Sequence, residues 1–227
     1  AIIFWFTHLP EVKQTESEGK GKSKSILHAF RHAHLSWAVV AQFFYVGAQV
    51  CVFSFFLLYA PKAAGVSDKV AGNFLGWGCG LAFMTGRFFG TFLMVEMVKP
   101  ARLLSIYALI NIALCAVAMF ATGIPALVAV IGIAFFMSIM FPTIFSLGIK
   151  DLGTDTEYGS SLIIMSIVGG AILPPVFGWI ADSTGNIQLA YSVPLVCFAV
   201  ILYFGMKGHK VREVTEDAER STIKVIR

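Results

Sequence analysis

The sequence predicts an all-helical membrane protein that crosses the bilayer six times. Of its 227 residues, 57% are hydrophobic and only 13% are charged, and the mean hydropathy is +0.79. Such values are too apolar for an ordinary soluble domain of this length. A membrane-spanning helix needs about 20 mostly apolar residues to cross roughly 30 Å of hydrocarbon, and the apolar residues gather into six runs of about that length.

Glycine, proline and charged residues separate these six runs. The runs extend over residues 37–59, 73–95, 103–121, 126–149, 160–181 and 191–206, of which the last is slightly short. The strands of a membrane barrel would alternate polar and apolar residues over about ten positions, whereas these runs are apolar on all sides. The predicted fold class is therefore an all-α membrane protein with six transmembrane helices.

Two polar segments and one short apolar segment flank the predicted six-helix part, residues 36–207. Residues 1–9 would form a helix only about 14 Å long and lack the features of a signal peptide, so we expect the end of a preceding transmembrane helix. Residues 10–35 are rich in Lys, Glu, Ser and Gly, a composition typical of a flexible linker. Residues 208–227 are predicted to form a polar tail.

The basic residues in the loops predict the orientation of the protein. Because Lys and Arg accumulate on the cytoplasmic side of membrane proteins, the linker and the tail are predicted to be cytoplasmic. Lys62 and Lys69 lie on the other side, and Arg87 lies within a run. The cytoplasmic set contains 14 of the 17 Lys and Arg residues: Lys13, Lys20, Lys22, Lys24, Arg31, Lys99, Arg102, Lys150, Lys207, Lys210, Arg212, Arg220, Lys224 and Arg227.

Neither the cysteines nor the histidines indicate a metal site or a cofactor. The four cysteines all fall inside apolar runs without the paired spacing of metal ligands, and we interpret them as packing residues: Cys51, Cys79, Cys115 and Cys197. His28, His32 and His34 lie near Arg31 with partial helical spacing. An amphipathic helix at the membrane surface is favoured there over metal binding.

The first run carries the strongest pattern of polar residues. Gln42, Tyr45, Gln49 and Phe53 are spaced by three and four residues, so they lie on one stripe of a helix. Amides and a phenol beside aromatic rings suit a carbohydrate, whose hydroxyls they can bind while the rings contact its C–H face. The alternative is that the glutamines bond to neighbouring helices.

Two further positions lie in the second run. Asn73 and Trp77 are one turn apart and form a second candidate for ligand contact, although Asn73 would equally serve as a helix cap. Arg87 lies roughly 12 Å from the cytoplasmic end of its run. Gly86 and Gly90 would allow another helix to approach, so we interpret Arg87 as a gate or a packing contact with a carboxylate or with backbone carbonyls.

Prolines interrupt the fourth and fifth runs. Pro142 in the fourth run removes a backbone hydrogen bond, and Pro174 and Pro175 do the same in the fifth. Phe141, beside Pro142, is a further predicted contact with the ligand. Broken helices are where transporters place binding sites and hinges, although prolines also form simple kinks. None of the six runs contains Asp or Glu, and no motif of an enzyme or of a nucleic-acid-binding protein is present.

Four segments of the sequence are familiar: YVGAQ at 45–49, GRFFGTFL at 86–93, MSIMFPTIFSLGIKDLGTDTEY at 137–158 and GSSLIIMSIVGGAILPPVFGWIAD at 159–182. Together they resemble the C-terminal half of the fucose permease branch of the major facilitator superfamily, which comprises bacterial fucose, glucose and galactose transporters. The resemblance covers nearly the whole chain.

That resemblance implies one half of a twelve-helix fold, built as a 3+3 inverted repeat, that works by alternating access. The first and fourth runs would line a central cavity, and the third and sixth would face lipid. Gln42, Tyr45 and Gln49 become expected sugar contacts, and Asn111 becomes a structural amide. The resemblance further implies proton coupling through acids of an N-terminal half, and a location in the bacterial inner membrane.

The sequence leaves three functional hypotheses. The leading one is half of a proton-coupled transporter for a monosaccharide, either fucose, galactose or glucose. The second is a sugar-binding sensor, or a facilitative carrier without proton coupling. The third is a structural half-protein that dimerises with itself. The expected partners are the sugar, the proton, the bilayer and the N-terminal six-helix half.

Overall fold

A computed structural model describes residues 32–210, apart from the side chain of Thr154. The described part is helical and contains the six predicted membrane spans, which are long and apolar enough to cross a bilayer. We call them spans 1 to 6: Ala33–Ser54, Asp68–Glu96, Pro100–Phe120, Ile124–Gly148, Thr156–Thr184 and Leu189–Gly208. The predicted end of a preceding helix at 1–9, most of the linker, including His28, and most of the tail lie outside the described residues.

The ends of the spans differ by a few residues from the predicted runs. Span 1 begins at Ala33, because His34 and Leu35 are buried and the His34 Nε2 atom lies 2.9 Å from the carbonyl oxygen of Lys150. A further helix, Phe56–Ala64, continues span 1 after Phe55. Span 6 has 20 residues, enough to cross the membrane, and thus extends beyond the short predicted run on both sides.

Four of the spans are irregular. Span 2 consists of Asp68–Asn73, a π-helical segment Phe74–Cys79 and Gly80–Glu96. Span 4 is broken between Ile124–Met137 and Met140–Gly148, and span 5 contains a 3₁₀ turn, Ser166–Val168, before its second helix Gly169–Thr184. Span 6 combines helix Ser192–Tyr203 with a 3₁₀ turn before it and a π-helical turn after it.

Spans 1 and 4 form the centre of the bundle. Span 4 packs against spans 1, 2 and 3, whereas span 1 packs against spans 4, 5 and 6, and spans 3 and 6 also pack against each other. Spans 2 and 5 each attach mainly to one central span and are the most exposed of the six. Their open sides are surfaces that lipid or another six-helix unit would cover.

An internal repeat relates the first three spans to the last three. Phe43 and Phe44 in span 1 correspond to Phe135 and Phe136 in span 4, and the dipeptide Phe-Ser recurs at the same offset at 53–54 and 145–146. The second span of each repeat packs against the first span of the other repeat, so span 2 packs on span 4 and span 5 packs on span 1. Gly86 of span 2 contacts the Phe135 carbonyl of span 4. Gly169 of span 5 packs on the Phe43 carbonyl in the same way. This exchange is the arrangement of a 3+3 inverted repeat.

Candidate functional site

The break in span 4 leaves a main-chain carbonyl without its normal helical partner. In an intact helix the amide of residue 142 would donate to the carbonyl of residue 138. Pro142 has no N–H, so it cannot make this bond. Ser138 is buried. Moving a carbonyl from water into hydrocarbon without a hydrogen-bond donor costs on the order of several kcal/mol of free energy. Another donor must therefore reach the carbonyl of Ser138.

Arg87 of span 2 supplies that donor. Its Nε and Nη2 atoms donate to the Ser138 carbonyl oxygen at 3.3 and 3.2 Å. The approach depends on Gly86, because a Cβ atom there would overlap the Phe135 carbonyl and lie 2.8 Å from Ser138 Oγ. At Gly90, one turn later, a Cβ atom would lie 2.7 Å from Ile139. The contact is therefore with a backbone carbonyl of a neighbouring helix, and the gating role of Arg87 stays a prediction.

Tyr45 makes a similar contact from the other side of span 4. Its hydroxyl donates to the carbonyl oxygen of Met137 at 3.1 Å, and its ring lies edge to face with Phe141, with centroids 6.1 Å apart. Spans 1 and 2 thus each place one side chain on a carbonyl at the break, Tyr45 on Met137 and Arg87 on Ser138. Side chains of these two spans hold the break.

Two of the predicted sugar contacts, Gln42 and Tyr45, are enclosed by the surrounding spans, and their contact with a sugar stays a prediction. Both side chains are 0% exposed, and neither polar atom of the Gln42 amide has a hydrogen-bond partner among residues 32–210. A side chain enclosed by the six spans offers no surface to a ligand that lies outside them. We therefore leave both residues out of the proposed site, and the packing alternative fits their positions better.

The remainder of the stripe is more open. Gln49 and Phe53 are half-buried, and Gln49 forms no hydrogen bond to any residue that the structure describes. The Phe53 ring lies edge to face with Phe83 of span 2, with centroids 6.0 Å apart, and the Arg87 guanidinium carbon lies 5.6 Å from the centre of the Phe83 ring. Phe53, Phe83 and Arg87 thus connect the stripe of span 1 to the break in span 4.

Phe83, which lies between Phe53 and Arg87, could not be identified from the sequence pattern. It lies one helical turn before Arg87 on the same span, so the two side chains share a face. Within a run that contains many phenylalanines, that spacing alone does not distinguish Phe83 from residues that face lipid.

Asn73 and Trp77 lie apart from the stripe, at the other end of span 2. Both are exposed, Trp77 to 71%, and they line an open groove of about 490 Å³ together with Phe74 and Ile131. No hydrogen bond or ring contact joins them to Gln49 or Phe53 within the described residues. Their predicted contact with a ligand stays a prediction and receives no support from this placement.

The prolines of span 5 do not mark its interruption. The helix Gly169–Thr184 runs through Pro174 and Pro175, and the irregular turn precedes it at Ser166–Val168. Gly169, the first residue after that turn, is the position where span 5 packs on the Phe43 carbonyl. The close approach between spans 1 and 5 therefore lies at the turn, before the prolines.

The histidines and cysteines contribute no metal cluster among residues 32–210, where no three His, Cys, Asp or Glu side chains come together. His32 Nε2 lies 3.5 Å from Asp155, and His34 contacts the Lys150 carbonyl, so both link the start of span 1 to the loop between spans 4 and 5. The four cysteines are free and buried.

Curated proteins that are similar to this sequence carry the names of sugar transporters. The L-fucose-proton symporter of Escherichia coli (strain K12) is 44% identical over 209 residues, which are 90% of this chain and 47% of the symporter. A glucose/galactose transporter of Brucella abortus biovar 1 (strain 9-941) is 38% identical over 212 residues, 92% of this chain and 50% of that protein. The chain thus spans about half the length of these relatives. No profile of a known protein family matches the sequence.

Solved structures agree with the sequence relatives. A crystal structure of the E. coli fucose:proton symporter superposes with a TM-score of 0.82 at 41% identity, covering 92% of this chain and 52% of that one. A peptide transporter crystallised with sulfate superposes with a TM-score of 0.67, covering 86% of this chain and 44% of that one, but at 17% identity it shows the shared fold alone.

The protein is a multi-pass membrane protein with the fold of one half of a major facilitator transporter, as its six spans and their 3+3 inverted repeat indicate. Within that superfamily the chain belongs to the fucose permease branch. The family and fold predicted from the sequence are thereby confirmed.

Proposed function

We propose that the chain is the C-terminal half of a sugar transporter that carries a monosaccharide together with a proton. The observation that carries this proposal is the 44% identity to the L-fucose-proton symporter over 90% of the chain. Fucose, galactose and glucose are the candidate sugars, since similar proteins are named for all three. The chain acts as a transporter half and has no enzymatic activity.

The proposed sugar-binding group consists of Gln49, Phe53 and Phe141. Gln49 provides an amide without a partner among the described residues, and the two aromatic rings are half-buried, so each has area left for a ligand. Aromatic faces pack on the apolar face of a sugar ring while an amide bonds to its hydroxyls. A monosaccharide would sit between this group and the N-terminal half.

Alternating access would proceed by rocking of the two halves, with the break in span 4 as a flexible point. Arg87 and Pro142 lie at that break, so movement there would alter the contact between spans 2 and 4. Gly86 and Gly90 let the spans slide closely past each other. The acids that couple sugar to proton movement belong to the N-terminal half, because none lies in the interior of the six runs.

The orientation follows from the distribution of basic residues. The ends with most Lys and Arg face the cytoplasm, and the protein resides in the inner membrane of a bacterium. The linker and the tail are then cytoplasmic, while Lys62 and Lys69 lie outside.

The direct test is sugar uptake by cells that express this chain together with an N-terminal six-helix half of the fucose permease branch. Uptake of radiolabelled fucose, galactose or glucose is expected only when both halves are present, and a protonophore should abolish its accumulation. Gln49→Ala should weaken uptake at equal expression. Ser183→Ala serves as the control, because among residues 32–210 its hydroxyl bonds only to the Ile180 carbonyl of its own helix.

Each alternative gives a different result in this assay. A facilitative carrier would equilibrate the sugar but would not respond to the protonophore. A sensor would bind the sugar without counterflow in proteoliposomes. Absence of both uptake and binding when the two halves are expressed together would overturn the proposal.

A further inference from the structure

A basic pocket opens between spans 3 and 6 at the end of the bundle that carries most of the positive charge. It has a volume of about 370 Å³. Lys99, Arg102 and His209 line it together with Ser105, Ala101, Ile106, Gly205 and Met206. The two spans meet closely at its floor, because a Cβ atom at Gly205 would lie 2.5 Å from Ser105 Oγ. The pocket lies far from the break in span 4 along the sequence and shares no residue with the proposed sugar-binding group.

The charge of the pocket is not balanced within the described part of the chain. Neither Lys99 nor Arg102 forms an ion pair or a side-chain hydrogen bond with any of residues 32–210. Lys207 and Lys210 are exposed at the end of span 6 and add to the positive field. Two cations held side by side repel each other, so an anion between them would be bound favourably.

The polarity of the pocket changes with depth. Ile106 follows Arg102 by four residues and therefore lies about 6 Å deeper along span 3. Met206 lies on span 6, three residues before His209, which follows the end of that span. Lys99 and Arg102 thus lie at the level where span 3 begins, and apolar side chains lie toward the hydrocarbon. This order matches a phospholipid, whose phosphate lies at the interface and whose acyl chain continues into the membrane.

We propose that Lys99, Arg102 and His209 form a binding site for the phosphate of an anionic phospholipid, with its acyl chain along Ile106 and Met206. A soluble phosphate would satisfy the cations equally well but would gain nothing from the apolar wall. A zwitterionic lipid offers the same phosphate but no net charge to offset both cations. The site therefore prefers a lipid with net negative charge, such as phosphatidylglycerol.

The test uses the purified full chain in neutral detergent, with bound lipid counted by native mass spectrometry. Phosphatidylglycerol and phosphatidylcholine with identical acyl chains are titrated separately. Each basic side chain near an anionic headgroup contributes about fivefold in affinity, so the double variant Lys99→Ala and Arg102→Ala should bind phosphatidylglycerol roughly 30-fold more weakly. Its affinity for phosphatidylcholine should change little.

Two matched variants separate charge from folding. The double variant Lys62→Ala and Lys69→Ala removes two exposed lysines at the other end of the bundle and should leave lipid binding unchanged. The double variant Lys99→Arg and Arg102→Lys keeps both charges and should retain binding within a few fold. Circular dichroism should give the same helix content for every variant.

Three results would overturn the site. One is equal affinity of the wild-type chain for phosphatidylglycerol and phosphatidylcholine. Another is phosphatidylglycerol binding that survives the loss of Lys99 and Arg102. The third is displacement of the lipid by millimolar inorganic phosphate, which would assign the pocket to a soluble anion. None of these results bears on sugar uptake, so the proposed function is tested separately.

Discussion

The guanidinium of Arg87 donates two hydrogen bonds to the main-chain carbonyl of Ser138, at 3.3 and 3.2 Å. This carbonyl is the one that Pro142, four residues later, cannot bond. An arginine side chain from span 2 therefore replaces a missing backbone donor in span 4. The two spans are joined at the point where span 4 is weakest.

Replacing Arg87 by alanine should destabilise the chain, because the Ser138 carbonyl loses its donors. We expect the free energy of unfolding to fall by about 1–2 kcal/mol. Hydrogen bonds to charged groups contribute roughly 1.5–3 kcal/mol, and the exposure of Arg87 places this one toward the lower end. The change is measured as the midpoint of thermal unfolding of the purified chain in detergent. Arg87→Lys should recover only part of the loss, since one ammonium cannot reproduce two aligned donors.

A double-mutant cycle with Pro142→Ala tests the cause of this effect. Alanine at 142 supplies a backbone N–H that can bond to Ser138 itself, so removal of Arg87 should then cost less. The expected coupling between the two substitutions is about 1 kcal/mol. Strict additivity would show that Arg87 stabilises the chain by some route other than the Ser138 carbonyl.

Gly86→Ala should loosen the contact between spans 2 and 4. The added methyl group would overlap the Phe135 carbonyl, which belongs to a helix backbone and cannot rotate away. Overpacking of this kind costs about 1–3 kcal/mol. Gly80→Ala is the matched control on the same span, because its Cβ atom would lie 3.9 Å from the nearest atom, the Leu75 carbonyl oxygen. Both variants are compared by thermal unfolding, and equal midpoints would contradict the prediction.

The six spans and the break in span 4 near Pro142 could be predicted because they depend on local chemistry. An apolar run of membrane length forms a helix wherever it lies, and a proline removes the same hydrogen bond in any helix. The approach of span 2 at Gly86 also follows from sequence, since a small residue leaves room for a neighbour. The identity of that neighbour does not follow, because it depends on how six helices are arranged.

For the same reason the sequence could not reveal which of the predicted sugar contacts neighbouring helices would cover. The spacing of Gln42, Tyr45, Gln49 and Phe53 places them on one stripe, and the structure agrees that they share it. Different neighbouring helices, however, cover such a stripe on a central helix at different points along its length. Span 4 and the other packed spans enclose its first two residues, whereas the last two remain half-buried. The spacing of the residues indicates which face of the helix they share, but it does not reveal which neighbouring helix covers each residue.

Tyr45→Phe should lower stability through the loss of one buried hydrogen bond. The Tyr45 hydroxyl donates to the Met137 carbonyl at 3.1 Å, and its removal leaves that acceptor less well satisfied. We expect a cost of about 1–2 kcal/mol. The matched control is Tyr107→Phe, since the Tyr107 hydroxyl is buried without a partner among residues 32–210. Removing that hydroxyl should be neutral or stabilising, and a larger loss at Tyr107 than at Tyr45 would refute the assignment.

Methionine substitutions at Gln42 and Gln49 should affect different properties, the first stability and the second sugar binding. Gln42 is enclosed, and its amide has no partner within the described residues, so Gln42→Met replaces a costly buried polar group by an apolar one of similar size. This variant should be as stable as the wild type or more stable by about 1 kcal/mol. Gln49→Met should leave the unfolding midpoint unchanged, because Gln49 bonds to none of residues 32–210.

Sugar affinity provides the second measurement, on the chain paired with an N-terminal half. Under the proposed function, Gln49→Met removes a hydrogen bond to a sugar hydroxyl. The Kd for the sugar should rise by about tenfold, which corresponds to roughly 1.4 kcal/mol of binding free energy. Gln42→Met should bind the sugar as the wild type does, because its side chain cannot reach the space between the halves. Weaker binding at Gln42 together with normal binding at Gln49 would mean that the helices separate around Gln42 during transport, and the site would then have to move toward the interior of this half.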